Sequence, residues 1–157
     1  MRKFASRGMT FLVLSFLAIG TVSGAEAPKD MEALAGLKTG KAIFDVRVTD
    51  MEKLTFNLEL IKETFEGMRE QGVTPVMIVT FRGPGVKFLA RDRAAGENGP
   101  LIAEMKGMGV RFEVCGVATR IFKVDPASLI PDVVLVGNVL TSLIGYQNKG
   151  YALIPLN

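Results

Sequence analysis

Thr74–Phe81 reads TPVMIVTF, eight residues with almost no polar interruption. A run this short and this apolar is the pattern of a strand buried on both faces, which occurs in parallel sheets. Parallel neighbours need long crossovers, usually helices. The preceding segment, residues 50–71, supplies one: Leu54, Leu58, Ile61, Phe65 and Met68 recur at spacings of three and four and form a single apolar stripe. Lys62, Glu63, Glu66, Arg69 and Glu70 make its solvated face. Thr49-Asp50 offers an N-cap and Gly72 a C-terminal stop. Before that helix, residues 41–48 (KAIFDVRV) read as a strand. Ala42, Phe44, Val46 and Val48 share one face. Asp45 and Arg47 share the other, which predicts partial exposure or a partner surface there.

The same alternation continues downstream. Arg82-Gly83-Pro84-Gly85 is a turn, residues 86–90 one helical turn, and 91–98 (RDRAAGEN) a polar, flexible connection. Residues 100–108 read as a helix, 110–114 (VRFEV) as a strand closed by Cys115-Gly116, and 117–122 as a short helix. Asp125-Pro126 opens a turn, 133–136 (VVLV) is a fourth strand, and 139–148 a helix with Leu140, Leu143 and Ile144 inward. Residues 151–155 (YALIP) close the chain as a fifth strand. This order predicts an α/β fold: a single three-layer domain over 41–157, with a mainly parallel five-stranded sheet and helices on both faces. Residues 26–40 are a loose or weakly helical lead-in.

Composition removes whole classes of chemistry. The 157 residues are 48% hydrophobic and 22% charged, which is not the signature of disorder. There is no histidine, so Ser-His-Asp and Cys-His catalysis in cis and His-based zinc sites are excluded. The single cysteine rules out an intramolecular disulfide and a Cys₄ metal site. The net charge of +3 belongs to Arg2, Lys3 and Arg7, beyond which acids and bases balance. No basic domain remains to suggest nucleic-acid binding.

Those three residues open a secretory signal pattern. A 12-residue apolar run, Met9 to Gly20, follows, and Ser23-Gly24-Ala25 supplies small residues for cleavage after Ala25. Cleavage after Gly24 or Ala27 is the alternative, the latter setting Pro28 at the scissile bond. The run is short of the about 20 residues of a membrane span. Residues 1–25 are therefore expected to be a Sec-type signal peptide, and the mature protein periplasmic with no span after cleavage.

In open α/β sheets, sites form at the carboxyl ends of the strands. The loops there are Thr49-Asp50, Arg82 to Gly85, Cys115-Gly116 and Gly137-Asn138. Cys115 stands where a strand passes into a helix, and amide N–H groups at a helix start favour thiolate over thiol. Arg82 and Arg120 are sources of positive charge. A free cysteine is equally at home as a small buried hydrophobe, and an intermolecular disulfide is a third option. The loop from Arg82 lacks both phosphate-binding glycine spacings, so Gly83 and Gly85 read as turn residues. Asp45, Asp50 and Asp132 read as solvated or capping groups, and Met68 and Met77 as packing.

The chain resembles the DsrE/DsrF-like sulfur-relay family, in particular its small exported members. KAIFDV, LTFNLELIKE, TPVMIVTFRGPGVKFL, GVRFEVCGVATR and IPDVVLVGNVLTSLIGYQNKGYALIP carry the resemblance, over roughly residues 41–155. The strand-Cys-Gly junction and the closing Gly-Tyr-Ala strand are its most specific parts. The resemblance implies a small parallel α/β fold, trimeric or hexameric homo-oligomers, and a cysteine after the third strand that accepts sulfur as a persulfide. Cys115 matches that position. A His-Gly pair common after the second strand is replaced here by Phe81-Arg82-Gly83. Arginine cannot serve as a base near neutral pH but can hold an anion.

Two readings follow. In the first, Cys115 is nucleophile and carrier for sulfane sulfur, as sulfurtransferase or sulfur carrier. The Gly116 and Val117 amides and Arg82 would stabilise the anion, with Gly83, Gly85 and Asn138 in loops near the site. No metal and no organic cofactor is implied, and the partners are a sulfur donor or acceptor protein or a small sulfur compound. In the second, the chain is an oligomeric binding or assembly module with Cys115 buried and inert, and Asp45, Arg47, Arg111 and Glu113 meet a partner subunit. A small-ligand or nucleotide site at the strand ends is a weaker third.

Overall fold

A computed structural model describes residues 28–157; the signal peptide expected over residues 1–25 and the expected cleavage positions lie outside the described residues. Helix α1 (Met31–Leu34) is one turn in the lead-in, and strand β1 (Thr39–Val46) follows. Helix α2 (Met51–Glu70) begins where Asp50 Oδ1 accepts a hydrogen bond from the Lys53 amide at 2.8 Å, which satisfies one of the open N–H groups of the first turn. Its stripe Leu54, Leu58, Ile61 and Phe65 is buried in the core. Gly72, at φ 80, turns the chain into strand β2 (Thr74–Phe81).

A 3-10 segment (Gly83–Leu89) leads to helices α3 (Arg91–Ala94) and α4 (Asn98–Gly107), then strand β3 (Arg111–Cys115) and helix α5 (Gly116–Ile121). A short 3-10 turn (Pro126–Ser128) precedes strand β4 (Val134–Val136), helix α6 (Val139–Asn148) and strand β5 (Ala152–Leu156). The sheet order is β4-β3-β2-β1-β5 and every pairing is parallel. From β1 to β4 the strands advance in one direction, so right-handed crossovers put α2 and α4 on one face. The return from β4 to β5 reverses direction and carries α6 across the other face, where it packs on β1, β3 and β5.

That return explains one departure from the sequence reading, and the other departures have local causes. β1 lies between β2 and β5 with both faces covered, so Asp45, expected to be partly exposed, is only 4% exposed. β1 also starts earlier than expected, because Thr39 and Gly40 pair with Thr74 and Pro75. The segment 91–98 is not a flexible connection. Ala94 is buried in α3, and buried Asn98 accepts a hydrogen bond from Thr55 Oγ1 at 3.0 Å. Leu143 faces inward as expected, but Leu140 and Ile144 are exposed on α6.

Candidate functional site

The side-chain alternation of parallel strands, read with the pairing register, places Asp45, Thr80, Glu113 and Val134 in one row across β1, β2, β3 and β4. The row faces α6, since Tyr146 of that helix donates its hydroxyl to Glu113 Oε1 at 3.1 Å. One side-chain step further along, at the carboxyl ends, come Arg47, Arg82, Cys115 and Val136. Cys115 pairs with Val136, and the backbone bonds Arg47 N to Leu156 O (2.8 Å) and Arg82 N to Val46 O (3.3 Å) carry the ladder past the strand ends. Two arginines and the thiol therefore occupy neighbouring places on one face of the sheet.

Arg82 is anchored by Asp45. Its Nε donates to Oδ1 at 2.8 Å and its Nη2 to Oδ2 at 2.7 Å, a two-pronged ion pair of the kind that fixes a guanidinium plane. Arg47 Nε stands 3.9 Å from Asp45 Oδ2. The Asp45 hydrogen bond raises the Arg82 pKa; burial opposes the rise, and the charges of Asp45 and then Cys115 add to it. Arg82 and Cys115 thus lie within electrostatic reach of each other. Arg120 is exposed in the last turn of α5.

Cys115 is the N-cap residue of α5 and is 4% exposed. Gly116 beyond it is needed for packing: a Cβ there would lie 2.9 Å from the Val136 carbonyl oxygen and 3.3 Å from that of Gly137. The end of β4 therefore rests on the backbone beside the cysteine. Val117 is partly buried against the core. Gly83 fits its turn role, with φ 68. Gly85 does not: it is buried, and a Cβ would stand 3.0 Å from the Val48 carbonyl oxygen, so it lets the 3-10 segment press on the exit of β1. Asn138 caps α6, its Oδ1 accepting from the Leu140 amide at 3.0 Å.

Two carboxylates in this neighbourhood were not legible as site residues. Asp45 is one. The other is Glu113, only 2% exposed, which takes Arg111 Nε at 2.8 Å and the Tyr146 hydroxyl on Oε1 and leaves Oε2 without a hydrogen bond. Neither presents a surface to a partner, as the assembly reading expected of them, whereas Arg47 is exposed. Burial raises the Tyr146 pKa most, with the Glu113 charge and hydrogen bond adding and Arg111 opposing. A signal existed in the sequence: both acids sit inside apolar strands with an arginine two residues away. Asp132, read as solvated or capping, pairs with Lys106 at 3.0 Å. Among the described residues no three Asp, Glu or Cys side chains converge to hold a metal, and no helix is long and apolar enough to cross a membrane.

Comparison with known proteins gives the same outline. The sequence profile of the DsrE/DsrF-like family matches residues 41–156. An uncharacterized protein of Aquifex aeolicus (strain VF5) is 29% identical over 125 residues, covering 73% of this chain and 55% of its own length. The chain thus spans about half of that relative. The solved structure of a protein of unknown function, MTH1491 from Methanobacterium thermoautotrophicum, superposes with a TM-score of 0.64 at 22% identity. The superposition covers 74% of this chain and 98% of that one, and shows the shared fold.

Proposed function

The chain belongs to the DsrE/DsrF-like family, and on that premise we propose that it handles sulfur outside the cytoplasm, carrying sulfane sulfur as a persulfide on Cys115. The observation that carries this reading is the row of Arg47, Arg82 and Cys115 at the carboxyl ends of the strands. An anionic sulfur on Cys115 meets a cation there that Asp45 holds in place. The family supplies the sulfur-relay context; the leader, residues 1–25, supplies the periplasmic one.

The step needs no external oxidant. The Cys115 thiolate attacks the outer sulfur of a donor persulfide, R–S–SH. A Cys115 S–S bond forms and the donor S–S bond breaks. The electron pair leaves on the donor sulfur, which takes up the persulfide proton and departs as R–SH. Transfer to an acceptor thiol reverses these roles. The Gly116 and Val117 amides and Arg82 stabilise the persulfide anion in this scheme.

Homo-oligomerisation into trimers or hexamers belongs to the same proposal. Leu140 and Ile144, one turn apart on α6, and Val134 and Leu135 on the edge strand β4 are apolar and exposed, as residues awaiting a partner subunit are. Light scattering gives the assembly size, and a monomer at micromolar concentration would contradict this part.

The burial of Cys115 favours one second reading, the assembly module with an inert thiol. Cold cyanolysis separates the two. After incubation with polysulfide and desalting, the native protein should release thiocyanate in proportion to Cys115, and Cys115→Ser should release none. Equal release from both proteins, or none from the native one, removes the carrier reading.

A further inference from the structure

A cleft of about 650 Å³ opens between the 3-10 segment Gly83–Leu89, helix α3 and the C-terminal end of α5. Lys87, Arg91, Arg93 and Lys123 line it against two acids, Asp92 and Asp125, an excess of two positive charges. None of the four cations has an ion-pair partner among the described residues. Asp125 is engaged elsewhere, accepting the Ala127 amide at 3.0 Å. The aromatic element of the lining is the partly buried Phe122 ring, with Lys87 Nζ 5.5 Å from its centroid.

Lys123 gives the cleft a second distinctive feature. It is the one non-glycine residue with positive φ among the described residues, at 55°. It follows the end of α5, where the Val124 amide bonds back to the Thr119 carbonyl at 2.8 Å. This left-handed position at a helix end is where glycine is free of strain. A lysine there costs the fold conformational energy, and what it adds is a further cation in the lining of the cleft.

We propose that this cleft binds a small phosphorylated compound bearing at least two negative charges, its phosphates held by Lys87, Arg91, Arg93 and Lys123. The volume falls within the range of small-molecule sites. Arginine forks match phosphate geometry, and lysines add mobile point charges. The ring of Phe122 offers a flat surface to an organic portion. The site is separate from Cys115, since the six residues of α5 set them about 9 Å apart along the helix axis.

Isothermal titration of the purified protein with inorganic pyrophosphate and with ADP tests the proposal. Saturable binding of both is expected, retained in Cys115→Ser. Tighter binding of ADP identifies an organic ligand resting on Phe122; equal affinities identify an inorganic polyphosphate, and either supports the site. Lys87→Ala and Lys123→Gly should each weaken binding about tenfold, the loss of one charged hydrogen bond. Lys123→Gly should melt no lower than the native protein, which separates lost binding from lost folding. Absence of saturable binding of both probes at millimolar concentration overturns the proposal. So does unchanged affinity in the Lys87→Ala, Lys123→Gly double variant.

Discussion

Asp45→Asn is the most informative single change to this fold. The substitution keeps the shape of the side chain and removes its charge, leaving Arg82 one neutral acceptor in place of two charged ones at 2.7 and 2.8 Å. Hydrogen bonds to charged groups contribute about 1.5–3 kcal/mol each. The Asp45 side chain is 6% exposed and that of Arg82 27%, so water recovers part of the loss at the guanidinium end. A net destabilisation of about 2 kcal/mol follows, which lowers the melting temperature by about 6 °C in a domain of this size. Urea unfolding followed by circular dichroism measures it, alongside Arg82→Met and the double variant. Breaking one partner strands the other, so the two single losses should exceed the double loss by about 1–2 kcal/mol. Asp45→Asn within about 0.5 kcal/mol of the native protein, or strict additivity, would refute the claim that this buried pair organises the carboxyl end of the sheet.

Other expectations test other links. Gly116→Ala drives a methyl group toward the Val136 and Gly137 carbonyls and should cost about 1–3 kcal/mol; an unchanged urea midpoint would mean that β4 does not rest on this backbone. Leu58→Ala empties a fully buried position on α2 and should cost about 2–5 kcal/mol, read as a fall in melting temperature. The raised pKa of Tyr146 makes its phenol ionise later than a free tyrosine. The unfolded chain loses this proton first, so the contribution of Tyr146 to stability is present below the ordinary tyrosine range and is lost as pH rises through that range toward the folded pKa. Absorbance at alkaline pH in Tyr151→Phe isolates this phenol, and titration at or below the free value contradicts its burial beside Glu113. The raised Arg82 pKa has the same alkaline sign: its pairing persists to the pH at which the folded guanidinium itself would deprotonate.

Local signals in the chain were strong where structure is local. The Leu54, Leu58, Ile61 and Phe65 stripe, the Asp50 cap and the apolar run TPVMIVTF each specify their element without help from the rest of the fold, and α2, β2 and α6 formed at the expected places. The alternation of elements was enough for a parallel sheet with helices on both faces. Position in the sheet was not legible, and it decides the environment of β1. Only the return of α6 across the second face turns Asp45 and Glu113 from solvated charges into buried ones, and the Asp45–Arg82 pair joins residues 37 apart in the chain. The polarity of segment 91–98 hides two anchors: Ala94, which is buried, and Asn98, which is buried and bonded to Thr55 of α2. At the site, the strand–Cys–Gly junction was visible in sequence. Its neighbours in the row, Arg47 and Arg82, became neighbours only through the register.

Intact mass spectrometry of the purified protein asks whether Cys115 carries sulfur. The spectrum is taken before and after exposure to polysulfide or thiosulfate, with Cys115→Ser in parallel. If Cys115 carries sulfur, the mass rises by one or more sulfur atoms, a gain that reductant reverses, that maps to Cys115 and that is absent from the serine variant. An unchanged mass, under conditions that load an authentic persulfide carrier, would contradict it and leave Cys115 as a core residue of an assembly module.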